Sequence, residues 1–112
     1  MDGADLYNEL QTKIKHLDTS VRALRKTGTE RAEAERAYKV HLRREVLKLR
    51  DEGQAVGIIE KTCHGIPSVA DLRFKRDVAE AVYTANLESI NALKLQIRIL
   101  ENQLDREWGQ SK

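Results

Sequence analysis

Apolar residues recur along most of this chain at steps of three and four, the spacing that lines one face of an α-helix. Leu6, Leu10, Ile14, Leu17, Val21 and Leu24 form a first row, and Tyr38, Leu42, Val46 and Leu49 a second. Ile90, Leu93, Ile97, Leu100 and Leu104 form a third, the seam of the last helix. The pattern predicts a first helix over 4–26, a second over 30–52 and a long C-terminal helix over 68–108. Between the first two, KTGTE at 26–30 sets Thr27 three residues before Glu30, the spacing of a capping box, with Thr29 as a rival cap and Gly28 between them. A break or kink is expected there, because cap chemistry and the low helix propensity of glycine agree. Gly53 reads as a C-cap. The stretch 53–67 carries little charge, and its Val56, Ile58 and Ile59 predict a packed turn or short helix closing the end of a hairpin. Gly65 and Pro67 end it, and Ser68, followed by Asp71, reads as the N-cap of the last helix.

No proline or glycine interrupts 69–108. Forty helical residues span roughly 60 Å, too long to be covered by a small globule, so this helix must pair lengthwise with another. The expected architecture is one all-α domain over 1–112, an elongated antiparallel helical hairpin or three-helix bundle with coiled-coil packing. A second set of apolar positions complicates that picture. Leu95 lies about 180° from the Ile90/Leu93/Ile97/Leu104 seam at 100° per residue, and Ile99 shares that far side. In the second block Val40 and Leu47 lie away from Tyr38, Leu42 and Leu49, beside Arg36, Arg43 and Arg50, which repeat every seventh residue. A hairpin buries one stripe per helix, so the extra stripes need another neighbour. The first helix folding back, a second copy of the chain and a different protein are the three candidates.

Composition supports long helices and narrows the chemistry. Charged residues make up 34% of the 112 and aromatics 4%, which favours narrow packed stripes over a thick core. Twenty basic against eighteen acidic residues leave a net charge of +2, too balanced to argue for nucleic acid by itself. The single cysteine, Cys63, allows no internal disulfide framework. No apolar run approaches the roughly 18 residues of a membrane span, and no signal peptide is evident, so a cytoplasmic protein without a membrane partner is expected.

Catalytic signals are weak. Cys63 and His64 are adjacent, but neighbouring side chains seldom reach one metal, and no CxxC or HxxxH spacing accompanies them, so no cofactor or metal is expected. Most carboxylates have a basic residue three or four positions away, as Asp77 has Arg73 and Glu101 has Arg98, the pattern of solvated helix pairs. Phosphate-binding and nucleophile-elbow motifs are missing, and the expectation is a protein that is not an enzyme. The Arg36/Arg43/Arg50 stripe with RREVLKLR at 43–50 is the one candidate for phosphate contacts, although Glu33 and Glu45 lie near it.

LRDEG at 49–53, LRFKRDVAEAVY at 72–83 and INALKLQIRILENQ with REWG towards the end of the chain carry a resemblance. Over about 30–109 the chain resembles a family of small uncharacterised helical proteins from the early regions of phages and prophages of Gram-positive bacteria. Such proteins sit near genes for recombination and single-strand annealing, and host-defence inhibitors are of similar size. The resemblance implies a protein–protein interaction factor in the host cytoplasm, an inhibitor of or accessory to a defence nuclease or recombination complex. It brings no catalytic residues. The expected partner surface joins Arg36, Val40, Arg43, Leu47 and Arg50 to Leu95 and Ile99, in a chain expected to self-associate. Direct binding of DNA or RNA by the arginine stripe is the alternative.

Overall fold

The computed structural model describes residues 2–110. It is all-α: α1 spans Gly3–Asp51, α2 Val56–His64 and α3 Pro67–Gln110, with no strand among the described residues. Asp2 caps the start of α1, its Oδ1 accepting the backbone N–H of Asp5 at 2.9 Å.

The break expected at 26–30 does not occur, and α1 passes through KTGTE as continuous helix, although the chain's two compact units divide between Lys26 and Thr27. A single interior glycine costs about 1 kcal/mol relative to alanine, and the good helix formers on both sides outweigh it. Gly28 faces the ring of Tyr83, with room for one more methyl group at ordinary contact distance, 3.5 Å from the ring. Gly28→Ala is therefore expected to stabilise the protein by about 0.5–1 kcal/mol, read as a higher urea midpoint with unchanged m-value. A lowered midpoint would mean that the glycine serves a bend.

α1 ends where its glycine sits. Gly53 has φ 85°, and its N–H bonds to the carbonyl of Arg50 at 3.0 Å while that of Gln54 reaches back to Leu49 at 3.1 Å. These are the two bonds of a Schellman motif, so the C-cap read from sequence is present. α2 fills the expected turn. The start of α3 differs from expectation. Pro67 occupies the first helical position, where its missing N–H costs nothing, and the carbonyl of Ile66 accepts the first helical bond, from Ala70. Ser68 is thus inside the helix rather than its cap, and its hydroxyl meets Nε2 of His41 at 2.8 Å instead.

The chain forms two compact units. One consists of the chain up to Lys26 with the chain from Thr84 onward. Here Leu6 and Leu10 of α1 and Leu100 and Leu104 of α3 share a buried cluster, with Ile97 packed against it. Tyr7 stacks on Trp108 near one end, and at the other Asn86 Nδ2 donates to the carbonyl of Ser20 at 2.9 Å. Early residues of α1 thus meet late residues of α3, an antiparallel pairing. Burial along α3 follows Asn86, Ile90, Leu93, Ile97, Leu100 and Leu104, the three-four spacing of a coiled coil. Ile14 and Val21, assigned to the α1 stripe from sequence, are exposed. They lie four residues beyond Leu10 and Leu17, and the seam advances through Lys13, Leu17, Ser20 and Leu24 instead.

The other unit is Thr27–Tyr83, where the second half of α1, α2 and the start of α3 pack together. Its interior holds Tyr38, Ile59, Cys63 and Val69. The Tyr38 hydroxyl lies 3.1 Å from Nε2 of His64, and the Arg76 guanidinium sits 4.5 Å from the Tyr38 ring centroid. Further along, Arg31 lies over Tyr83 and within ion-pair reach of Glu80.

Candidate functional site

The far-side positions singled out by pattern remain uncovered within their units. In the first unit, Leu95 is 57% exposed and Ile99 48%. The N-terminal part of α1 packs on the opposite side of α3, against Leu100 and Leu104, so an internal third helix covering Leu95 and Ile99 is excluded. Ile90, Leu100 and Leu104 are buried, and Leu93 and Ile97 half-buried.

In the second unit, Val40 is 48% exposed and Leu47 42%. Arg36, Arg43 and Arg50 are exposed on α1 and have no carboxylate partner among the described residues. Lys39 instead pairs with Glu35 at 3.3 Å, and Glu45 lies 3.9 Å from His41, so these two acids are turned to other bases. Of the seven residues expected to form one partner surface, the five on α1 lie in the second unit and Leu95 and Ile99 in the first. They are not brought into one compact unit.

The structure adds residues that pattern reading passed over. Ala37, Val40 and Leu72 floor a groove of about 500 Å³ between α1 and α3 of the second unit, with Arg36, Arg44, His41 and Glu33 at its edges. Arg44 was legible as a helical neighbour of Val40, four residues on. Leu72 was not, because it comes from the other helix. Phe74, Val78 and Val82 of α3 are exposed apolar residues spaced by four that the stripes did not include.

Cys63 and His64 sit in different surroundings. Cys63 is fully buried, and burial, with Glu45 and Glu60 adding to it, raises the thiol pKa and keeps it protonated at neutral pH. His64 turns its Nε2 to Tyr38. No group of three potential metal ligands occurs among the described residues. The ion pairs differ in detail from those read off the helical spacing. Asp77 bonds the adjacent Arg76 at 2.9 Å rather than Arg73, because Arg76 is drawn in over Tyr38. Among the described residues no ion pair joins Glu101 to Arg98.

The fold and exposed faces define an all-α helical bundle protein with uncovered apolar stripes. Among the described residues, no helix is long and apolar enough to cross a membrane. Searches of known protein families, of curated proteins and of solved structures find no match to this chain.

Proposed function

We propose that this is a non-catalytic interaction factor that binds another protein through helix faces its own fold leaves open. One observation carries the reading. Leu95 and Ile99 stand exposed on α3, opposite a seam that the chain has already filled. Scattered surface leucines need no explanation, but an apolar pair at helical spacing on a charged helix suits a partner helix. The resemblance to phage early-region proteins suggests the target, a nucleic-acid-processing complex such as a defence nuclease or recombination assembly, which the protein inhibits or assists in the host cytoplasm.

Changing Leu95 and Ile99 together to glutamate tests this. Both are exposed, so helicity is expected to persist and stability to shift by no more than about 0.5 kcal/mol per site. Affinity capture from prophage-bearing cells, followed by mass spectrometry, is expected to recover a partner with the natural chain and lose it with the double variant. Sedimentation at matched concentrations separates this from self-association, in which the natural chain changes mass and the variant does not. If helicity is lost, the two residues are structural and the reading fails.

The arginine row supports a second reading, direct nucleic-acid binding, because Arg36, Arg43 and Arg50 are not neutralised within the chain. Phosphate contacts would make affinity for bare DNA fall steeply with salt. Absence of binding at low ionic strength removes this reading.

A further inference from the structure

We infer that the groove of the second unit receives an acidic amphipathic helix. Its apolar side would rest on Ala37, Val40 and Leu72, and its carboxylates would meet Arg36 and Arg44. The inference rests on the proposed role as an interaction factor and specifies the chemistry of one partner segment.

The groove has a floor and a charged rim. Ala37 and Val40 of α1 and Leu72 of α3 line the groove, which is shallow and open, and Val40 supplies exposed apolar surface. Two uncompensated guanidinium groups flank this floor, against one carboxylate, Glu33, at its edge. Continuing along α1, Leu47 and then Arg43 and Arg50 repeat the same alternation of apolar and cationic positions. From Glu33 to Arg50 the row is about 26 Å long, enough for roughly five turns of a partner helix. The seven-residue repeat of Val40 with Leu47, and of the arginines beside them, matches the repeat that a helix offers along one side.

Charge selects among occupants. A second copy laid on this face would set one arginine row against another, and like charges in helix contact are destabilising. A nucleic acid would satisfy the arginines but leave Val40 and Leu47 against a sugar–phosphate surface, with no aromatic on this row for a base to stack on. A helix with apolar residues at heptad spacing and flanking Glu or Asp satisfies both components, and bidentate Arg–carboxylate pairs would fix its register.

The test uses a fluorescein-labelled 21-residue peptide with Leu and Ile at the a and d positions of three heptads and Glu at the flanking positions. A matched peptide carries Lys in place of every Glu. With the full-length protein, anisotropy is expected to show salt-sensitive binding of the acidic peptide and at least tenfold weaker binding of the basic one. Amide shifts in the labelled protein are expected to concentrate at Ala37, Val40, Arg44 and Leu72. Arg44→Glu and Val40→Glu, each with unchanged circular dichroism, are expected to weaken binding at least tenfold, while the Leu95→Glu/Ile99→Glu variant binds normally. Equal binding of the two peptides, no binding of the acidic one, or shifts elsewhere would overturn the inference. Tighter binding of duplex DNA, lost in Arg44→Glu, or self-association lost in Val40→Glu would overturn it too. If cellular capture through Leu95 and Ile99 succeeds while the acidic peptide fails, this inference alone falls. If the peptide binds and capture fails, the groove stands without the wider role.

Discussion

Replacing Leu100 with alanine is expected to cost about 2–4 kcal/mol of stability in the unit that contains it. Leu100 is buried with Leu6, Leu10 and Leu104, and few other large side chains share that cluster. Removing its branched end deletes apolar contacts and leaves a space that two helices held in register can close only in part. Trp108 reports the change locally, because it stacks on Tyr7 in the same unit and is the chain's only tryptophan. The expected result is a lower urea midpoint by Trp108 fluorescence with unchanged helicity in water. Leu95→Ala, in the same helix but exposed, is expected to shift the midpoint by less than about 0.5 kcal/mol. Comparable losses at the two positions would contradict the assignment of inner and outer faces.

Tyr38→Ala is expected to be at least as damaging in the second unit, about 3–5 kcal/mol by analogy with other buried aromatic truncations. Three losses coincide there. A buried ring is lost from the unit's interior, Arg76 loses the face it rests on, and His64 loses its hydrogen-bond partner. Tyr38→Phe separates them, since it keeps the ring and its attraction for Arg76 and deletes only the hydroxyl. Its cost is expected to be about 1 kcal/mol. Hydrogen exchange at the α2 amides around Cys63 and His64 is the measurement. Fast exchange in Tyr38→Ala and near-natural protection in Tyr38→Phe is the expected order. Equal loss of protection in both would assign the structural role to the hydroxyl.

The α3 seam was readable because helical period is a local property, whereas the α1 row took in Ile14 and Val21, which are exposed. Leu100 and Leu104 repeat at a spacing that only a helix turns to one side, and Gly53 announced its cap by being the residue that accepts a positive φ. Other features depended on relations that spacing does not carry. KTGTE contained the ingredients of a cap, but whether a cap forms depends on what the flanking helix contributes, and α1 continued. Ser68 had the chemistry of an N-cap, but Pro67 took the first turn and His41, 27 residues away in sequence, took its hydroxyl. The candidate surface was half legible. Val40, Leu47 and the arginines follow from one helix's period, whereas the groove needed Leu72 from another helix, and the expected union with Leu95 and Ile99 crossed from one compact unit to the other.

The bond from Asn86 to the carbonyl of Ser20 has a mechanical consequence. Two helices joined by repeating leucines can slide past each other by one heptad and meet much the same neighbours, as a ratchet with equal teeth can rest at any notch. Ser20 is small enough at its seam position for an amide to reach the backbone beside it. A slip of seven residues would bring the longer Lys13 or the β-branched Thr27 to that place and crowd the approach of the Asn86 amide to the backbone. That polar contact, with the Ser20 and Ser89 hydroxyls 3.5 Å apart beside it, makes one notch deeper than the rest, so the exposed side chains on the outer faces keep a fixed offset from helix to helix within the unit.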